Sequence, residues 1–391
     1  MMLTRPQHME TRADLPASQV DRRGLRDRLL DWRDRLVVRP SFRKWAARFF
    51  LTRPIARRQS ARLFDVASGF VKSQTLLACV RLQVLDRLME KPMRPAQLGP
   101  LIGLGEDATQ RLLSAAGAVD LVLLQADGRY RLGGLGAAVV GEPGIRAMVE
   151  HNATFYADLA DPVALLKATS RPTQLEQYWA YSGDEQAAGL QPAQVSDYSE
   201  LMAESQRMVA EEVLAVYPVG KHRLLLDVGG GEGAFVEAAA NAAATLKISV
   251  FDLPAVAERA TQRMQRLGLL PRFQAHGGNF FTDSLPQGAD LVTLVRVLHD
   301  HDDAEAMQLL RNIHRSMVPG QTLLIAEPMA GIAQSRAVGD AYFAFYLLAM
   351  GRGRARTPAE IGSMLEVAGF SSVRTIATNQ PVITQLVSAR S

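Results

Sequence analysis

Four short stretches in the second half of the chain hold residue types that bind and transform small molecules. The run Leu224-Leu225-Leu226-Asp227-Val228-Gly229-Gly230-Gly231-Glu232-Gly233-Ala234-Phe235 reads as a strand passing through a glycine-rich turn into a helix. Such a turn lets backbone approach a ligand closely at the carboxyl edge of a sheet. Two patterns overlap in it: Gly229, Gly231 and Ala234 satisfy the dinucleotide pattern G-x-G-x-x-A, whereas Gly229, Gly231 and Gly233 give G-x-G-x-G with Glu232 inside the turn. An acid there repels a pyrophosphate but tolerates the cationic sulfonium and amino group of S-adenosylmethionine, which tilts the reading toward a methyl donor. Asp252, in Val250-Phe251-Asp252-Leu253 and 19 residues past Gly233, is placed to accept both hydroxyls of a ribose. Nicotinamide and methionine cofactors share that need, so Asp252 indicates an adenosine group and not the reaction.

Gly278-Asn279-Phe280-Phe281 sets a polar residue beside aromatics, suited to hydrogen-bond and stack an adenine, although Phe280 reads equally well as core filler. Arg296-Val297-Leu298-His299-Asp300-His301-Asp302-Asp303 follows an apolar strand, where substrate chemistry sits in an open α/β sheet. Three readings stay open: His299 as general base, His299 and His301 with carboxylates as metal ligands, or a plain helix start. Asp302 and Asp303 read well as acids at a helix start, which weakens the metal reading, and no metal is expected.

The elements that must hold these residues follow from periodicity. Past about Val219, strands at Arg223 to Val228, Lys247 to Phe251, Leu291 to Val295 and Thr322 to Ala326 alternate with helical patterns such as Asp302 to Met317, the mark of a doubly wound parallel sheet. Before it the chain is mainly helical. Leu63, Val66, Phe70, Leu76, Leu77, Val80, Leu82 and Leu85 make the apolar faces of two helices around Gly69, and a further helix runs from Glu106-Asp107 to Gly117. Strands at Leu121 to Gln125 and Arg129 to Leu132 then flank Asp127-Gly128, a hairpin signal. Helices followed by a hairpin read as a winged helix. Its recognition helix carries only Arg111 as a cation, so it suits packing between proteins and no nucleic-acid partner is expected.

The chain of 391 residues, 48% hydrophobic and 21% charged, belongs with folded proteins of two or three domains. One cysteine, Cys79, excludes an internal disulfide and fits a reducing compartment. No apolar run approaches the roughly 18 residues of a membrane span, and no apolar stretch follows the first arginines as in a secretory signal, so the cytoplasm is the expected location. Charge is uneven. Residues 1–62 hold sixteen cations against six acids, a net +10, and the remainder nets −6. Within that basic segment Leu25, Leu29, Leu30 and Leu36, then Phe42, Trp45, Phe49 and Phe50, recur at near-helical spacing. That pattern offers peripheral contact with a membrane surface, inner or photosynthetic; the alternative is a solvated arm packed on the rest of the chain.

Taken in order, Asp227 to Gly233, Phe251-Asp252-Leu253-Pro254, Gly278 to Phe281, Leu298 to Asp303 and Ala326-Glu327-Pro328 resemble the S-adenosylmethionine-dependent O-methyltransferases of the caffeate and acetylserotonin type, over residues 60–391. The resemblance implies an α/β fold: a Rossmann-like methyltransferase domain at 211–391, preceded by a mainly α winged-helix dimerisation domain at 60–210 and here by a basic amphipathic extension at 1–59. It implies a homodimer that uses S-adenosylmethionine and no metal. Gly229 would line the methionine end of the cofactor, Asp252 would hold the ribose, Asn279 and Phe280 would frame the adenine, and Asp227, Gly231, Gly233 and Leu253 would complete the cofactor-binding set. Arg296 matches a lysine that contacts the cofactor. His299 matches the catalytic base, and Glu327 one of two glutamates that orient it. The apolar run Ala341 to Met350 is similar to an acceptor wall, with His151, Phe155, Phe343, Tyr346 and Met350 as candidate substrate residues and core packing as the competing role.

The chain departs from the family pattern in three places. An Asp becomes Asn279, the tryptophan after His-Asp becomes His301, and Glu-Arg-Thr becomes Ala355-Arg356-Thr357, which leaves Glu327 to hold His299 alone. With Ser41-Phe42-Arg43, Leu51-Thr52-Arg53-Pro54 and the run Asp158 to Leu165, these departures are most similar to bacterial hydroxyneurosporene (demethylspheroidene) O-methyltransferases. That implies a hydrophobic hydroxylated substrate methylated at the tertiary C-1 hydroxyl of an acyclic carotenoid. A phenolic acceptor, or a winged-helix regulator with a vestigial cofactor domain, is the alternative.

Overall fold

The computed structural model of the chain describes residues 24–169, 171–183 and 205–391. Two compact units divide it, residues 1–73 and 74–391. In the first, helices Leu25–Val38, Pro40–Arg48 and Arg53–Ala67 follow one another. Pro40 and Pro54 stand in the opening turns of the second and third, where a missing N–H removes no helix bond. Helices form on both sides of Gly69, but Leu63, Val66 and Phe70 are 73%, 80% and 67% exposed, so the apolar periodicity there marks an outer face and not a core. No single helix among the described residues is long and apolar enough to cross a bilayer.

The second unit opens with short helices packed on a small core of Leu85, Leu98, Leu113, Leu121 and Tyr130. Helix Glu106–Gly117 leads into the antiparallel hairpin of β1 (Val122–Leu124) and β2 (Tyr130–Leu132). Gly128 takes the left-handed turn position with φ +81°. The lone cation of the helix, Arg111, pairs with Asp107 at 2.9 Å.

The rest is built on a seven-stranded sheet: β3 (Leu224–Val228), β4 (Lys247–Asp252), β5 (Phe273–Gly277), β6 (Leu291–Val295), β7 (Thr322–Glu327), β8 (Ser371–Ile376) and β9 (Gln385–Arg390). Their order is β5-β4-β3-β6-β7-β9-β8, with β9 antiparallel to both neighbours and the first five strands parallel. Strand residues alternate between two cores. Leu226, Val292, Leu294, Leu323 and Ile325 face one side and Leu225, Leu291, Val295, Leu324 and Ala326 the other, as expected for a sheet covered on both faces. From β3 the chain builds outward first through β4 and β5, then through β6 and β7 on the opposite side. The crevice of this sheet therefore lies between the carboxyl ends of β3 and β6. Those ends lead into Gly229 and Arg296.

Candidate active site

Gly229, Gly231 and Gly233 all adopt left-handed conformations after β3, with φ +69°, +58° and +85°. A Cβ on Gly229 would lie 2.8 Å from Val297 Cγ2, and one on Gly233 would lie 2.8 Å from Met264 Cε. Gly231 instead faces open space, and its N–H donates to Asp252 Oδ2 at 2.8 Å while the Leu253 N–H donates to Oδ1 at 2.7 Å. Burial pushes the Asp252 carboxyl above the usual range, against those two bonds. Its orientation at the end of β4 is fixed by backbone alone, which suits a bidentate acceptor for a diol.

Asp227 is buried and accepts the Thr293 hydroxyl at 2.6 Å through Oδ1, while Oδ2 has no hydrogen-bond partner among the described residues. Burial pushes its pKa up to about 7. Glu232 pairs with Arg259 at 3.0 Å, so Asp227 rather than Glu232 is the acid left beside the turn for a cationic group. An orphaned carboxylate oxygen at a glycine cradle, with a fixed carboxylate one strand over, fits S-adenosylmethionine.

Asn279 spends its carbonyl on the turn it sits in, accepting the Phe281 N–H at 2.9 Å. Its amide NH2 remains for a ligand. Phe280 lies edge-on to Phe281 and His301, and its Cε1 would be 3.5 Å from a Cβ on Gly229, so adenine-side and turn residues border one cleft. Arg296 holds φ +58°, in the left-handed region that a residue carrying a Cβ adopts only at a cost. Its N–H donates to Ala326 O and its Nη1 to Ser205 Oγ, each at 2.8 Å.

His299 sits on the short turn Leu298–Asp300, buried, with a carboxylate on either side of its ring. Nε2 lies 3.0 Å from Asp300 Oδ1. Nδ1 is 3.7 Å from Glu327 Oε2, and that same oxygen accepts the His299 backbone N–H at 3.0 Å. Burial alone disfavours the imidazolium, but the charge and hydrogen bond of Asp300, and then Glu327, outweigh it and raise the His299 pKa. Asp300 is correspondingly lowered: burial raises it, and the charge and hydrogen bond of His299 prevail. Glu327 is raised by burial. The expectation that Glu327 alone holds His299 is thus corrected, because Asp300 engages the other nitrogen.

The candidate acceptor residues converge. His151 Nε2 and Tyr346 Oη are 2.6 Å apart, and Phe155 meets Tyr342 and Tyr346 edge-on at 5.6 and 5.4 Å. Phe343 reaches toward His299, their ring centroids 5.8 Å apart. Met350 is buried with Phe155 and Tyr346 in the same apolar cluster, against which Ala355 also packs. His151 is pushed down to about 4, chiefly by burial and then by the charge of Arg296, so it is neutral at physiological pH. The box is therefore apolar apart from neutral polar pairs, His151 with Tyr346 and the Tyr342 hydroxyl donating to Asn152 Oδ1 at 2.8 Å. His301, in the tryptophan position, packs its ring against Phe280 and Phe281 and leans toward Glu305 at 3.5 Å. Among the described residues, no three His, Cys, Asp or Glu side chains group as metal ligands would.

Two residues escaped the sequence reading. Asp300 stood inside the motif without a role, and only the tightness of the turn reveals that it folds back on its neighbour. Arg356 carries no role in the sequence pattern, which distinguishes only Ala355 beside it. It is fully buried and donates to Leu298 O and His301 O, both at 2.8 Å, and to Asp303 Oδ1. Those carbonyls bracket His299. A charged side chain directly before the Thr357–Glu360 capping box was the available signal.

Residues 64–141 match the family model of the O-methyltransferase dimerisation domain, and residues 156–371 that of the O-methyltransferase domain. The chain is 41% identical over 355 residues to the demethylspheroidene O-methyltransferase of Cereibacter sphaeroides, covering 91% of this chain and 93% of that protein. It is 42% identical over 338 residues to the protein of the same name from Rhodobacter capsulatus, covering 86% and 83%. The crystal structure of human N-acetylserotonin methyltransferase in complex with S-adenosylmethionine matches with a TM-score of 0.67 at 26% identity, over 85% of this chain and 97% of that one.

Proposed function

The chain belongs to the S-adenosylmethionine-dependent O-methyltransferases of the acetylserotonin and caffeate type, and we propose that it methylates the tertiary C-1 hydroxyl of an acyclic carotenoid, acting as a homodimer. The observation that carries the acceptor is the 41% identity to a demethylspheroidene O-methyltransferase across 91% of the chain. The aromatic box of Phe155, Tyr342, Phe343 and Tyr346 supports it, since a polyene offers nothing to a charged wall and His151 there is neutral.

S-adenosylmethionine would supply a methyl group already activated by its sulfonium, the sulfur–methyl bond breaking as the ether bond forms and S-adenosylhomocysteine leaving as the neutral thioether. Asp227 and Gly229 hold the methionine end, Asp252 and Leu253 the ribose, Asn279 and Phe280 the adenine, and Arg296 stands beside them. Fixing the hydroxyl at near-attack distance contributes about 7–11 kcal/mol. His299 takes the hydroxyl proton as the ether bond forms, adding about 10²–10⁴-fold. A tertiary alcohol is too weak an acid to ionise beforehand, so proton removal accompanies transfer.

The test is incubation with labelled S-adenosylmethionine and detergent-dispersed 1-hydroxycarotenoids and catechols, read by mass analysis. One added methyl on the tertiary hydroxyl is expected. Methylation of the catechols alone would overturn the carotenoid assignment while leaving the family untouched.

A further inference from the structure

We propose that helix Leu25–Val38 and the aromatic segment following it seat this protein in the headgroup region of an anionic lipid bilayer. Leu25, Leu29, Trp32 and Leu36 recur at i, i+4, i+7 and i+11 and so form one stripe along the helix. Leu25, Leu29 and Trp32 are 77%, 58% and 63% exposed. At about 100° per residue, Arg28 and Arg35 border the stripe on one side and Arg26 and Arg33 on the other, while Asp27, Asp31 and Asp34 fall on the opposite face. Apolar centre and arginine margins, with Arg33 alone of the four paired on its own helix among the described residues, to Asp34 at 2.6 Å, match a helix lying in an interface, where long cationic side chains reach up from apolar ground to headgroups.

A second feature continues the surface. Residues 39–62 carry eight cations and no acid. Phe42 and Trp45 on helix Pro40–Arg48 and Phe49 at its C-cap form a row of rings, tilted at 5.6 Å and then stacked at 5.0 Å between centroids, and Trp45, Phe50 and Leu51 are exposed. Aromatic rings among unopposed cations favour an interface of negative charge. Charge decides between the occupants. A second copy on this face would bring together two copies of the acid-free basic segment 39–62, whereas anionic headgroups neutralise it.

The experiment uses the full-length protein and sedimentation with phosphatidylcholine vesicles, with and without phosphatidylglycerol. Neither an acceptor nor methyl transfer enters the readout, so the result is independent of the carotenoid assignment. Wild-type protein is expected to sediment with the anionic vesicles, less so as salt rises, and to show blue-shifted tryptophan emission. R28E/R35E should lower the partition at least about 25-fold, at roughly fivefold for each cation lost near the surface. L29E/W32E should lower it on the order of tenfold or more. Both pairs are exposed, and unchanged circular dichroism certifies the fold. The proposal is overturned if wild-type protein ignores anionic vesicles or if both variants partition as wild type does. It is equally overturned if L29E/W32E turns a dimer into monomers at unaltered partition, which assigns the face to a second copy.

Discussion

Replacing Arg356 by alanine removes the clamp on the turn that carries His299. The guanidinium donates to two buried carbonyls, Leu298 O and His301 O, at 2.8 Å each. Charge-assisted bonds of that kind are worth about 1.5–3 kcal/mol each, so R356A should cost about 3–6 kcal/mol. The third partner, Asp303, has a side chain 59% exposed and adds little. For the unit of residues 74–391, at about 2.1 cal/mol/K per residue, the midpoint of thermal unfolding should fall by roughly 4–9 °C. Below that midpoint, kcat should drop about 10²-fold, the loss that a displacement near 1 Å at a reacting centre brings. The KM for S-adenosylmethionine should stay within about threefold, because the clamp does not touch the glycine turn. R356K can reach one of the two carbonyls and should recover about half of the stability loss. The assays are a melting curve and separate kcat and KM values for the three proteins at one temperature. A destabilised R356A with wild-type kcat would refute the positioning role, and an unchanged midpoint would refute the hydrogen-bond accounting.

E327Q should move the acidic limb of the kcat/KM profile to lower pH. The base works neutral, Glu327 favours its protonated form, and removing that charge lowers the His299 pKa; a limb that stays in place would mean that Glu327 serves only the backbone N–H. G229A should weaken S-adenosylmethionine binding on the order of tenfold, since its Cβ would meet Val297 at 2.8 Å in a left-handed turn; calorimetry giving a wild-type Kd would contradict the assigned cradle.

The glycine turn, Asp252 and His299 were legible because each answers a local demand at a strand end. Backbone that must approach a ligand needs glycine, a ribose needs a fixed carboxylate, and both occur where an apolar run stops. β3, β4, β6 and β7 followed from the same runs, with β7 extending one residue past the expected end to include Glu327 itself, whereas β5, β8 and β9 did not, β8 being largely exposed and carrying no apolar run. Leu63, Val66 and Phe70 show where periodicity stops informing. It reports which face of a helix is apolar and leaves open what covers that face. Leu77 and Leu85, in the same pattern, are buried.

Ala355 shows the other limit. Read position by position, its lack of a carboxylate strips His299 of one of two orienting acids. In space, residue 355 packs with the aromatic box, and Gly353 passes so close to the His299 turn that a Cβ there would lie 2.2 Å from His299 O. The next residue but two, Arg356, grips the carbonyls on both sides of the histidine, while Asp300 meets its Nε2. The ring is therefore held through its main chain by Arg356 and Glu327 and through its Nε2 by Asp300, while Nδ1 faces Glu327 at 3.7 Å without a hydrogen bond among the described residues. Orientation distributed over backbone and side chain survives the loss of one acid, and the same arrangement sets the proton affinity that the E327Q profile reads.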